Sequence, residues 1–400
     1  MSSLNETPGA QRLHIGIFGR TNSGKSSFVN AFTGQQVSIV SEIAGTTTDL
    51  VRKPMEINPL GACVIIDTAG FDDDSSLGKS RVEKTKLAAQ KSDIAIVLFS
   101  DMDIAEELAW CQFFKEKNTP VLPVISKCDS REQAAILSLS AQIEEQTKTV
   151  PLTVSALSME GIDQVRERLA RLIPEDFDAR TITGDFVGKE DLVMLVMPQD
   201  IQAPKGRLIL PQVQTIRELL DKKCIVVSAT VNQMTNGLKA LAKPPKLIIT
   251  DSQVFRYVYE QKPAESMLTS FSVLFAAYKG DLPYYMEGAK VLDSLNASSK
   301  VLIAECCTHA PLSEDIGRVK IPAMLRKRYG ENLSVEIKSG TDFPQDLSVY
   351  DLIIQCGACM FHRKYVLSRI DRAKQQHVPM TNYGVAIAHL TGILDKITVG

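Results

Sequence analysis

Gly19-Arg20-Thr21-Asn22-Ser23-Gly24-Lys25-Ser26 decides how this chain is read. The apolar run Ile15–Phe18 leads into it and the amphipathic stretch Lys25–Thr33 follows, which is the strand–loop–helix setting a phosphate-binding loop requires. Glycines let successive backbone N–H groups curl around an anion, and the start of the helix adds its dipole. Lys25 is expected to bridge the β- and γ-phosphates of a nucleotide, and the Ser26 hydroxyl to bind Mg²⁺. Gly19, Asn22, Ser23, Gly24, Lys25, Ser26 and Ser27 make up the expected phosphate-contacting set.

Outward from that loop, further segments fall in the order a GTP site needs. Gly45-Thr46-Thr47-Thr48-Asp49 reads as a loop offering a hydroxyl to Mg²⁺, with Thr47 the favoured donor. Asp67-Thr68-Ala69-Gly70 ends an apolar strand, so that Asp67 can hold a Mg²⁺-bound water and the Gly70 N–H can meet the γ-phosphate. Ser126-Lys127-Cys128-Asp129 follows another strand. The Asp129 carboxylate can accept two hydrogen bonds from guanine N1 and N2, a pair adenine does not supply, and Lys127 can lay its stem on the purine face. Ser155-Ala156-Leu157 supplies the last base-contacting loop. The usual first residue of the base motif is Asn; Ser126 is shorter and is expected to weaken nucleotide binding. Lys25, Thr47, Asp67 and Gly70 are the residues expected to act on the phosphates.

Four hundred residues exceed one hydrophobic core and imply two or three domains. A net charge of −2 argues against a large nucleic-acid surface. The polar start, Met1 to Arg12, lacks the basic-then-apolar pattern of a secretion signal, and no apolar run reaches membrane-spanning length. A cytoplasmic protein without structural disulfides is expected. Cys63, Cys111 and Cys224 lie in apolar surroundings and read as packing residues.

Strands read at His14–Phe18, Cys63–Asp67, Ile94–Phe99, Val121–Ser126 and Leu152–Ser155, with helices between them, giving an α/β domain over residues 1–175 with a mostly parallel sheet. Pro174 to Lys189 reads as a linker. A small α/β unit over residues 180–262 follows, with strands at Leu192–Met197, Cys224–Ala229 and Lys246–Thr250 and no ligand-type cluster, and is expected to serve self-association. The third α/β unit, residues 263–400, reads as strands Lys300–Ala304, Asp351–Gln355 and His377–Met380 and helices Ser266–Tyr278, Tyr284–Leu295, Ile321–Tyr329 and Val385–Lys396.

Two cysteine loops in that third unit follow strands directly: Cys307-Thr308-His309 and Cys356-Gly357-Ala358-Cys359. Ligands gather at the carboxyl ends of strands in open α/β sheets, so the two loops can converge. Three thiolates suit tetrahedral zinc or an iron–sulfur cluster, and the Cys-x-x-Cys alone also suits thioredoxin-like redox chemistry. Cys306 neighbours Cys307, and the sequence does not choose which of them faces inward.

On these motifs, residues 13–175 resemble the TrmE/Era class of GTPases, which share the Gly-Thr-Thr switch sequence. Two details fit that class: Phe71 stands where Ras-like proteins place a water-orienting Gln, and Asn22 stands where TrmE-like members bind K⁺. With the two cysteine loops, the whole chain resembles the HydF family of FeFe-hydrogenase maturation GTPases, whose pattern reads Cys-x-His…His-Cys-x-x-Cys. The resemblance implies a 4Fe-4S cluster on Cys307, Cys356 and Cys359, with His309 or Glu314 as fourth ligand and Glu305, Cys306 or solvent as further candidates. Gln355 occupies the second histidine position, which departs from the family. The resemblance also implies a scaffold that takes a transient di-iron precursor made with radical-SAM maturation enzymes and passes it to apo-FeFe-hydrogenase, working as a homodimer or larger homo-oligomer. It implies neither nucleic acid nor membrane as partner. The alternative is a TrmE/Era-like GTPase acting on RNA or ribosomes, with a zinc-stabilised appendage.

Overall fold

The computed structural model describes residues 9–35, 51–68, 70, 78–174, 177, 180–198, 208–306 and 315–399. The chain divides into two compact units, residues 1–177 and 178–400.

In the first unit, β1 (Leu13–Gly19), β2 (Val51–Ile57), β3 (Gly61–Asp67), β4 (Ile94–Phe99), β5 (Val121–Ile125) and β6 (Leu152–Thr153) form one sheet in the order β2-β3-β1-β4-β5-β6. β2 runs antiparallel to β3, and the other pairs are parallel. Leu13, Ile15 and Ile17 of β1 pack on Phe28, Val29 and Phe32 of the helix Lys25–Thr33. Phe18 meets Phe99, Cys111 and Phe114 on the opposite face. Covering both faces is what makes these strands continuous apolar runs rather than alternating ones. Strand order reverses on either side of β1, so its carboxyl end is the crevice where such sheets bind ligands.

The second unit holds two parallel sheets. β7 (Leu192–Val196), β8 (Ile225–Ala229), β9 (Leu247–Thr250) and β10 (Met267–Ser270) run in the order β10-β9-β7-β8. β11 (Lys300–Ala304), β12 (Ser334–Lys338), β13 (Leu352–Gln355) and β14 (Met380–Asn382) run in the order β12-β11-β13-β14. One apolar core joins them: Met194, Val196 and Ile248 of the first share it with Val301, Ile303 and Ile353 of the second. The fold class is therefore the expected one, a P-loop-type α/β sheet followed by two parallel α/β sheets.

Several elements differ from the sequence reading. The helix expected over Ser266–Tyr278 starts only at Phe271, because Met267–Ser270 pairs with β9 and the Ser270 hydroxyl caps the helix by accepting from Val273 N–H at 3.2 Å. The helix expected from Tyr284 begins at Leu282, where the Asp281 carboxylate accepts from Tyr284 N–H at 3.0 Å. The last strand is Met380–Asn382, not His377–Met380: His377 takes φ 56° in the turn that ends the helix Arg363–Gln375. The last helix is Tyr383–Leu390, capped by Asn382, and it stops before Gly392 at φ 69°. β2, β12 and the helix Arg363–Gln375 are additions. Part of the expected linker is core: Ile182 and Val187 are buried against Leu219, and the Glu218 carboxylate accepts from the Ile182 and Thr183 N–H groups. No helix of the described residues is long and apolar enough to cross a membrane.

Candidate nucleotide site and thiol site

β1 delivers the phosphate loop. A Cβ on Gly19 would stand 2.6 Å from Ser23 Oγ and 3.1 Å from the Leu98 carbonyl, so only glycine lets the loop turn off the strand there. Gly24, at φ 87°, opens the helix Lys25–Thr33 in a left-handed conformation that glycine adopts without strain. Asn22 takes φ 62° at an exposed position, a backbone its residue type tolerates. The buried Lys25 ammonium donates to the Gly19 carbonyl at 2.9 Å and to the Arg20 carbonyl at 2.6 Å. It is thus stationed within the loop by two of the loop's own carbonyls.

The base-reading segments are tied to the same loop. Ser126 Oγ donates to the Ser23 carbonyl at 2.7 Å, and Lys127 Nζ donates to the Asn22 carbonyl at 2.6 Å. Ser126 therefore fastens the loop rather than reaching outward. Asp129 stays exposed on the turn that follows. Cys128 N–H donates to the Val154 carbonyl at 3.1 Å, which brings this turn against Ser155-Ala156. The buried Ser155 hydroxyl accepts from Leu157 and Ser158 N–H at 3.2 and 3.1 Å and shapes that loop. At the end of β3, Asp67 is buried, and Thr68 Oγ1 donates to the Ile17 carbonyl at 2.7 Å, tying the end of β3 to β1. Ser26 and Ser27 are half-buried in the first turn of the helix. Thr47 and Phe71 lie outside the described residues.

One feature of this site is not legible in the sequence. The Arg20 guanidinium reaches the buried Glu107 carboxylate at 3.2 Å, with Asp103 at 3.5 Å and Glu106 at 3.6 Å. Burial pushes the Glu107 carboxyl up to about 7, with Arg20 pulling it back. The pair anchors the loop to the helix Ala105–Glu116. A Glu in an ordinary amphipathic helix carries no local signal of such a partner.

The thiol site sits at the carboxyl end of β13. Cys356 Sγ accepts from the Cys306 N–H at 3.1 Å, and Cys356 N–H donates to the Ala304 carbonyl at 3.0 Å, so the ends of β11 and β13 are laced together. Cys306 faces inward and is buried. Burial pushes the Cys306 thiol well above its ordinary range. A hydrogen bond from that thiol, opposed by burial and aided by the Ala358 and Cys306 amides, holds Cys356 below its own. The Cys306 amide on the Cys356 sulfur stabilises negative charge there. Ala358 takes φ 51° between the two cysteines, a strained turn for a residue with a Cβ. The Lys279 ammonium holds that turn, donating to the carbonyls of Ala358 and Cys359 at 3.1 Å each and of Phe361 at 2.8 Å. Burial lowers Lys279 to about 8, and the three nearby cysteines oppose that fall.

Amide-to-sulfur hydrogen bonds, a strained Cys-x-x-Cys turn and a buried cation are a donor set that fits a thiolate-held metal group. Core-packing thiols look different: burial pushes Cys63 and Cys111 up to about 12. Two of the further fourth-ligand candidates are already engaged. Arg318 grips the Glu305 carboxylate at 3.0 and 2.9 Å, with Ser339 Oγ at 3.0 Å. Cys306 serves Cys356. Gln355 donates from Nε2 to the Tyr285 hydroxyl at 3.1 Å and is buried as a supporting residue. Cys307, His309 and Glu314 lie outside the described residues.

A phosphate loop on the central strand, with base-reading turns fastened to it, defines a P-loop GTPase, and residues 14–127 match the 50S ribosome-binding GTPase family. The tRNA modification GTPase MnmE of Chromobacterium violaceum is 36% identical over 166 residues, 40% of this chain and 35% of that protein. GTPase Der of Campylobacter hominis is 30% identical over 179 residues, 44% of this chain and 38% of that protein. The chain thus spans little more than a third of the length of these relatives. A crystal structure of Era in complex with MgGDPNP and a segment of 16S ribosomal RNA aligns at 19% identity with a TM-score of 0.37, covering 57% of this chain and 97% of Era. The second unit settles the family. Residues 182–280 match the hydrogen maturase F dimerization domain and residues 283–398 the hydrogen maturase F tetramerization domain. The chain belongs to the hydrogen maturase F family.

Proposed function

We propose that this chain is a GTP-hydrolysing scaffold for maturation of FeFe-hydrogenase: it holds a 4Fe-4S cluster, receives a di-iron precursor and delivers it to the apo-hydrogenase. One observation carries the reading. The Cys356–Cys359 turn stands at the carboxyl end of β13, and the buried Lys279 ammonium donates to its Ala358 and Cys359 carbonyls. Cys307, Cys356 and Cys359 would hold the cluster, with His309, or Glu314, as an exchangeable fourth ligand. Bound there, the cluster supplies a soft iron site open to ligand exchange. Radical-SAM maturation enzymes and apo-hydrogenase are the partners. Ser26 and Thr47 would hold Mg²⁺, which neutralises phosphate charge. GTP turnover then regulates partner contacts through the switch loops. The test is transfer: chain loaded by the partner enzymes should activate apo-hydrogenase, and a Cys356→Ala chain treated identically should leave it inactive.

Asn22 would also hold K⁺, supplying the positive charge that an arginine finger gives elsewhere. GTP hydrolysis is accordingly expected to be slow and faster in K⁺ than in Na⁺. Rates compared at matched ionic strength decide this, and equal rates would remove the potassium site.

Self-association is assigned to the sheet of residues 180–262. β8 is its outer strand, and Ile225 there is 52% exposed, with Leu220 nearby at 56%. An open edge flanked by apolar side chains is a template for a second copy. Excising the segment would tear Met194 and Ile248 from the core shared with the next sheet, so a point substitution is the cleaner probe. Ile225→Lys in the full chain should shift sedimentation toward smaller species. An unchanged profile would place the contact elsewhere.

A further inference from the structure

Two cations of the second unit are buried without a carboxylate partner among the described residues. Lys279 is 1% exposed and spends its three donors on the carbonyls of Ala358, Cys359 and Phe361. Arg369 is 2% exposed, with its guanidinium among the rings of Phe343, Phe361 and Tyr365 at 4.8, 4.9 and 5.1 Å. One Arg369 nitrogen donates to the Gly340 carbonyl, Nη1 lies 3.8 Å from Cys306 Sγ, and Nε has no hydrogen-bond partner among the described residues. Neither cation has an ion-pair partner among the described residues.

A buried charge is costly unless an opposite charge meets it. Carbonyl dipoles and aromatic faces offset only part of that cost. What the two cations share is the cysteine cluster: Arg369 touches Cys306, whose backbone N–H donates to Cys356 Sγ, and Lys279 sits under the Cys356–Cys359 turn. Thiolates ligating a metal group would provide the missing negative charge.

We infer that Lys279 and Arg369 are positioning residues that balance the charge of the thiolate-held cluster and set its reduction potential. The inference rests on the cluster reading above. Each added electron makes the cluster more negative, so a nearby fixed cation favours the reduced form. Removing either cation must shift the potential downward. A merely structural pin for the loop would alter occupancy and leave the potential where it was.

The experiment uses the full chain with Lys279→Met, Arg369→Met and Arg369→Lys, each reconstituted anaerobically with ferrous iron and sulfide. Iron and sulfide per chain are counted, and the midpoint of the one-electron reduction by dithionite is followed by EPR. Each methionine variant is expected to show about a tenfold lower ratio of reduced to oxidised cluster at a fixed poise, about 59 mV for a one-electron couple. Arg369→Lys, which keeps the charge, should stay near the parent. Methionine variants with full iron and the parental midpoint would overturn the inference. If Arg369→Met loses its iron, retention in Arg369→Lys supports the charge requirement, and loss in both overturns it. A parent chain that takes up zinc but no iron would instead contradict the cluster reading itself.

Discussion

Cys356→Ala is expected to lose most of the iron that the parent chain retains after anaerobic reconstitution. Cys356 is the thiol at the convergence of two strands: its sulfur accepts the Cys306 amide at 3.1 Å, and its own amide is bound to the Ala304 carbonyl at 3.0 Å. A sulfur fixed this way presents its lone pairs in one direction. An alanine there leaves the Cys306 N–H without an acceptor and a cluster with one thiolate fewer. Cys359→Ala should do the same, and so should Cys307→Ala. Cys63→Ala is the control, since that thiol is core and its loss should cost stability but no iron. His309→Ala should keep a cluster while changing its spectrum and its response to added imidazole or cyanide, because that ligand is assigned as exchangeable. A Cys356→Ala chain with the parent's iron and absorbance would remove the cysteine turn from the account.

Lys25→Ala is expected to lower GTP turnover by about 100-fold or more, the range seen when one preorganised donor to developing charge is removed. The ammonium is already stationed in the loop, on the Gly19 and Arg20 carbonyls at 2.9 and 2.6 Å, so little reorganisation separates it from the phosphates. Iron content should stay at the parental level, because Lys25 and the cysteines belong to different units of the chain. Turnover by Lys25→Ala within a few-fold of the parent would mean that catalysis does not pass through this loop.

What the sequence disclosed depended on how local each signal was. The strand β1, the phosphate loop and the helix Lys25–Thr33 are contiguous, and their chemistry is carried by neighbours in the chain. β13 and the Cys-x-x-Cys after it were legible for the same reason. β12 was not, because Ser334-Val335-Glu336-Ile337-Lys338 is a half-exposed edge strand whose polar residues mask its pairing with β11. β10 was absorbed into a helix because Met267–Ser270 is short and runs straight into Phe271–Lys279; only the Ser270 cap marks the boundary. Lys279 and Arg369 were invisible as site residues. Lys279 ends an apolar helix, where a basic residue is ordinary, and Arg369 is one of five cations in Arg363–Gln375. Their meaning comes from burial and from what they face, which only the packed structure supplies. The Arg20–Glu107 contact was hidden likewise, since the two residues are far apart in sequence.

The central claim is that one chain joins a GTPase to a thiolate-held iron–sulfur cluster. Metal and sulfide analysis of the full-length chain, purified and reconstituted without oxygen, tests it most directly, with EPR recorded before and after dithionite. The expected result is a brown protein with about four irons and four sulfides per chain and an EPR signal that appears on reduction. A colourless protein that holds zinc, or no metal, through the same procedure would contradict it.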